Sequence, residues 1–277
     1  MTTRALVLGG GGLAGIAWET GVLRALVVAG VDVNGADVVV GTSAGATVAA
    51  QLGTGLPIDD WYRRQVDPAL QNDELRPTGM STAELRETML RIAEECVDPV
   101  ERSRRIGALA LAAGTVAEPV RRKVISGRVP ADRWPDRRTL IVAVDATSGE
   151  RRVFDGASGV SLVDAVAASC AVPGIWPPVT IGTTRYMDGG VHSICNADLA
   201  AGHQRILVLA PMADPQVERE VAALSEASRV LLVSADAEAT TAFGPDPLDP
   251  SVRTPAARAG DSQGRGQAAA IADLWRG

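Results

Sequence analysis

Asp37-Val-Val-Val-Gly-Thr-Ser-Ala-Gly-Ala-Thr-Val-Ala-Ala-Gln-Leu52 is the stretch whose reading decides the fold. Its first four residues form a short, β-branched run of the length of a buried strand. The run stops at Gly41, and a small-residue helix is expected from Ala44 to about Leu52. Ser43 therefore stands between Gly41 and Gly45, behind a strand and ahead of a helix. This is the pattern of a nucleophile elbow, a sharp turn that lifts a serine hydroxyl out of the sheet edge. The glycines are needed because neighbouring backbone passes close to the serine. The helix aims its first N–H groups at the site, where negative charge would develop. The plainer reading is a strand–helix turn with Ser43 as an N-cap.

Upstream, Ala5-Leu-Val-Leu8 reads as another buried strand, followed by Gly9-Gly-Gly-Gly12 and Gly15. A helix is expected from Gly15 to Ala29. Gly10-x-Gly12-x-x-Gly15 also fits a dinucleotide-binding fingerprint, which wants an acid at the end of the second strand. Here the acid, Asp37, opens that strand. A run of glycines equally frees several N–H groups to point into one cavity, as an oxyanion hole requires.

Downstream, residues from about 57 to 127 show helical periodicity, near 58–66, 81–96 and 100–126, and no evident strand. Short strands return at Thr139 to Val144, Arg151 to Phe154, Thr184 to Met187, Arg205 to Leu209 and Arg229 to Val233. Strand–turn–helix repetition points to a parallel α/β sheet with a helical insertion. From Gly244 prolines and glycines accumulate, so a loosely packed tail is expected, with Gln267 to Trp275 docking as a helix. The chain therefore divides into a domain over 1–243 and a tail over 244–277.

Asp188-Gly189-Gly190 follows the strand-like Arg185-Tyr-Met187. A carboxylate there can sit beside another catalytic loop, although Asp-Gly is also a strong turn signal. The chain has two histidines, His192 and His203. If neither serves Ser43, a carboxylate must take the serine proton. An exposed Asp, with a pKa near ~3.9, is a feeble base; burial in a dry cleft raises it toward usefulness.

In this order the three motifs resemble the patatin-like phospholipase family, over nearly all of residues 5–210. Ala171-Val-Pro-Gly-Ile-Trp-Pro-Pro178 and Asn196-Ala-Asp-Leu-Ala200 share in the likeness. Two positions depart from it: Ala14 stands where members often carry Arg or Lys, and Ala197 where they often have Pro. The resemblance implies a three-layer α/β/α fold with a mainly parallel central sheet. It implies Ser43 as nucleophile, Asp188 as proton acceptor and Gly10, Gly11 and Gly12 as the oxyanion hole. It also implies lipid acyl hydrolysis without metal or diffusible cofactor.

Bulk properties narrow the alternatives. A net charge of -6 over 277 residues leaves no basic nucleic-acid footprint. Three scattered cysteines, Cys96, Cys170 and Cys195, form no disulfide framework, and no window of about 18 apolar residues occurs. A cytoplasmic location is expected. Arg102, Arg104, Arg105 and Arg121, Arg122, Lys123 bracket the apolar stretch Ile106 to Val116, which suits a helix resting transiently on a membrane surface as well as a buried one. Oligomeric state is not legible. A nucleotide-binding oxidoreductase, a non-catalytic protein with this fold, and an α/β-hydrolase using a histidine remain as competing readings.

Overall fold

The computed structural model describes residues 2–129 and 133–276; Met1, residues 130–132 and Gly277, which the expected domain and tail include, lie outside it. The strands are β1 (Arg4–Leu8), β2 (Val38–Thr42), β3 (Arg138–Asp145), β4 (Arg151–Phe154), β5 (Val179–Ile181), β6 (Thr184–Asp188), β7 (Arg205–Ala210) and β8 (Arg229–Ser234). The helices are α1 (Gly12–Val28), α2 (Ala44–Leu52), α3 (Ile58–Val66), α4 (Thr82–Glu95), α5 (Pro99–Ala112), α6 (Glu118–Arg128), α7 (Leu162–Ser169), α8 (Pro215–Ser225), α9 (Ala237–Phe243) and α10 (Arg253–Arg276).

β3, β2, β1, β7 and β8 run parallel in that order, and β4, β5 and β6 add antiparallel pairs. Both faces of β1, β2, β7 and most of β3 are buried, which explains why they read as unbroken apolar runs, while β8 at the edge is only partly covered. Leu6, Leu8, Val39, Ile141, Leu207 and Leu209 face a core shared with α1, α2, α7 and α10. Their neighbours Ala5, Val7, Val38, Val40, Val142 and Val208 face the other side, toward α8 and Cys195. The result is a mixed α/β fold in three layers.

β3 is where the parallel and antiparallel parts of the sheet join. β2 pairs with Arg138–Val142, β4 with Ile141–Val144 and β6 with Ala143–Asp145. A strand has two edges, and β4 overlaps both of the others. β2 and β6 therefore share one edge of β3, one taking over where the other stops. The handover falls between Val142, opposite Thr42, and Ala143, opposite Asp188.

Two expectations need correction. The C-terminal segment is not loosely packed: α10 begins at Arg253 and lies against α1 along its length. Gly260 and Gly264 allow close contact rather than breaking the helix. A Cβ on Gly260 would stand 2.2 Å from Trp18 O, and one on Gly21 2.2 Å from Ala257 O. Pro255 falls in the first turn of the helix, where a missing N–H costs nothing. The 100–126 segment, in turn, is two helices. α5 stops at Ala112, and Pro119 lies in the first turn of α6, so Ile106 to Val116 is not one apolar helix. Arg104 and Arg105 pair with Glu101 and Glu95, Arg102 donates to Cys96 O, and Arg122 pairs with Asp164. Among the described residues no helix is long and apolar enough to cross a membrane.

Two glycines on α10 separate packing from propensity. Gly260→Ala is expected to destabilise the protein by about 1–3 kcal/mol through overpacking. Gly266→Ala, whose Cβ would meet nothing within 4 Å, is expected to stabilise it by about 0.5–1 kcal/mol. Urea denaturation of the two variants measures both; similar values would deny the close seam.

Candidate active site

Ser43 adopts φ 53°, ψ −109°, a left-handed conformation that a side chain rarely takes. Such strain costs on the order of 1–3 kcal/mol and persists only when the surroundings over-determine it. They do so here. Ser43 N–H donates to Ser169 Oγ at 2.9 Å, and the Cys170 thiol donates to Ser43 O at 3.1 Å. The flanking glycines are sterically forced. A Cβ on Gly45 would stand 2.1 Å from Leu8 O, and one on Gly41 2.7 Å from Gly45 O. Gly45 N–H also donates to Gly9 O at 2.9 Å, tying the elbow to the glycine loop. Ser43 thus sits, strained and buried, at the N-terminus of α2.

Asp188 ends β6 and is 5% exposed. Burial pushes its carboxyl up to about 6, against the pull of the Ser43 hydroxyl and the Gly190 N–H. Oδ1 accepts from Gly190 N at 2.8 Å. Oδ2 has no partner in strict hydrogen-bond geometry among the described residues, so the Ser43 hydroxyl acts on the carboxylate from a looser position. Its pKa places it among bases that are ionised, but not inert, near neutrality.

Asn196 locks the two loops together. It is fully buried and left-handed (φ 50°, ψ 42°). Its Nδ2 donates to Ser193 O at 2.6 Å and Thr42 Oγ1 at 3.1 Å, with Gly189 O at 3.4 Å. A Cβ on Gly189 would stand 2.3 Å from Val142 O, so only glycine lets the acid loop lie against β3. The roles of Ser169 and Cys170 had no sequence signal; they are small residues at the end of a small-residue helix.

The glycine loop differs in one respect from expectation. Gly10 N–H is given to Ile194 O at 2.8 Å in this structure, so it is not free to face an oxyanion here. Gly11 and Gly12 N–H have no acceptor among the described residues. Gly15 packs against Ala44, helix on helix. Pro247 and Leu248 cover Gly12, whose φ is +63°.

The histidines lie elsewhere. His192 is exposed and borders a separate groove with Asp198 and Gln216. His203 precedes β7, at the opposite end of the sheet from Ser43, and its Nδ1 lies 2.9 Å from Ala200 O. Neither has a hydrogen bond to Ser43 or Asp188. Asp37 likewise sits at the far end, accepting from Arg4 N–H at 2.7 Å, remote from the glycine loop. Ser43 opens on a cavity of about 20 Å3, room for a water or two, walled in part by Leu75, Trp176 and Leu248.

A search of curated proteins finds no match. Among solved structures the chain is similar to VipD from Legionella pneumophila, with a TM-score of 0.50 and 14% identity over 99% of this chain and 67% of that one. It also aligns with the type III effector protein ExoU at 17% identity and a TM-score of 0.43, over 98% of this chain and 53% of that one. The patatin-like phospholipase model matches residues 6–201, a span that takes in the glycine loop, the elbow and the acid motif. The chain belongs to the patatin-like phospholipase family.

Proposed function

We propose that the protein is a serine acyl hydrolase that cleaves lipid or other carboxylic esters, with Ser43 as nucleophile and Asp188 as its base. The observation that carries this reading is the handover on β3, which brings a strained serine and a buried carboxylate to adjacent positions on one edge. Family membership supports a lipid substrate.

Ser43 Oγ attacks the ester carbonyl as its proton passes to the Asp188 carboxylate. The Gly11 and Gly12 N–H groups, with the positive end of α2 beneath, stabilise the oxyanion. Collapse of the tetrahedral intermediate breaks the ester C–O bond, and Asp188 returns the proton to the leaving alcohol. Water, deprotonated by the same carboxylate, then cleaves the acyl-enzyme. Leu75 and Leu248 lie in segments without helix or strand, and the small cavity opens to an ester only when such a wall moves.

A fluorophosphonate is expected to modify Ser43, and Ser43→Ala to abolish both labelling and ester hydrolysis; an adduct on another serine would remove Ser43 from the role. Asp188→Asn is expected to lower acylation by several orders of magnitude, while His192→Ala and His203→Ala retain most activity. A folded but inactive histidine variant would replace the dyad with a triad, in which losing the imidazole is as damaging as losing the serine. Enlarging Gly11 or Gly12 should cost on the order of 100-fold in turnover.

Stability offers an independent check on the buried acid. Its folded pKa, about 6, lies above its unfolded value of 3.8. The neutral carboxyl therefore favours folding at low pH, and that contribution is lost as pH rises through about 6. Asp188→Asn should gain stability relative to the wild type by on the order of 2–3 kcal/mol between pH 4 and pH 7. Paired denaturant titrations measure the difference; a constant offset would mean that Asp188 is not held in a dry site.

A further inference from the structure

The cavity beside Ser43 contains a buried guanidinium whose donors are not satisfied by any described side chain. Arg121, on α6, is 6% exposed, and its guanidinium lies 3.8 Å from the centre of the Trp176 ring. Its Nε and Nη1 have no hydrogen-bond partner among the described residues. The nearest carboxylate, Glu74, stands 3.8 Å from Nη1, beyond hydrogen-bond range. Glu74 is already engaged by Arg128, which donates to both of its oxygens, at 2.9 and 2.5 Å. Glu74 is the one carboxylate among the described side chains lining this cavity, and Arg121 and Arg128 both line it. Two buried guanidinium groups thus face one carboxylate. Burial, and then Arg128, bring Arg121 down to about 9, the more distant Glu74 offsetting only part of that.

A guanidinium buried without hydrogen bonds is costly, and a structural arginine would have been given acceptors. Arg121 has instead a flat aromatic support and free donors in the fork geometry that suits phosphate or carboxylate. We infer that Arg121 forms an anion subsite next to Ser43, backed by Trp176 and Arg128, and that the ester substrate carries a phosphate or carboxylate close to its scissile bond. The inference rests on the hydrolase reading for its substrate half; the anion site itself does not. It also reassigns Arg121, which as part of a basic cluster suggested contact with a membrane surface.

The test compares two soluble esters that differ in one charged group, dihexanoyl phosphatidic acid and dihexanoylglycerol. The wild type is expected to favour the phosphatidic acid by tenfold or more in kcat/KM. Arg121→Gln should reduce that ratio at least tenfold, and Arg121→Lys, which keeps the charge but not the fork, should retain part of it. Inorganic phosphate should compete with 4-nitrophenyl butyrate and raise the wild-type melting temperature, and both effects should weaken in Arg121→Gln. Should the variants not fold, the wild-type preference and phosphate competition decide alone. A ratio near one in the wild type, or one unchanged in a folded Arg121→Gln, would overturn the substrate assignment. Phosphate competition without preference for the phosphatidic acid would overturn it too, placing a free anion there. If neither ester is hydrolysed and fluorophosphonate leaves Ser43 unmodified, the hydrolase reading fails; the anion site then stands or falls on the phosphate-dependent melting shift.

Discussion

The site depends on one edge of β3 being divided between two strands. β2 occupies it as far as Val142 and β6 takes it from Ala143, running the opposite way. A parallel strand that leads directly into Ser43 and an antiparallel strand that ends in Asp188 therefore finish at the same point. Their backbones are fixed by sheet hydrogen bonds, so the two side chains need no mobile loop to meet. The Asn196 amide, reaching Thr42, Gly189 and Ser193, ties down the turn that leaves β6.

Two costs accompany this arrangement, and each would serve the proposed chemistry. The left-handed backbone at Ser43 is unfavourable, yet it presents the hydroxyl at the N-terminal end of α2. Burial of Asp188 disfavours its charged form, yet it raises a carboxyl from a weak base to one ionised with a pKa of about 6. The same dry surroundings would strengthen interactions with the oxyanion of the proposed reaction. Trp176, Leu75 and Leu248 enclose the site.

Much of this was legible because steric necessity leaves a mark on sequence. Gly41, Gly45 and Gly189 sit where a Cβ would strike backbone, so a short motif exposes the geometry around it. Periodicity revealed the buried strands for a similar reason. Other features left no such mark. Gly10 reads like its neighbours in a glycine run, and only the fold shows its N–H spent on Ile194 O. Gly260 and Gly264 of α10 look like breakers until α1 is placed against them. Arg121 sits among other basic residues, and nothing local distinguishes the one that turns inward over Trp176 from Arg122, which pairs with Asp164.

In the proposed dyad a buried carboxylate, with no histidine, activates Ser43. That role is tested most directly by the pH dependence of the rate at which fluorophosphonate modifies Ser43 in the wild type and in Asp188→Asn. With Asp188 as the base, the wild-type rate rises about tenfold per pH unit below the Asp188 pKa and levels off above about 6, and the variant reacts far more slowly without that inflection. A profile that survives in Asp188→Asn, or that disappears in His192→Ala, would contradict it.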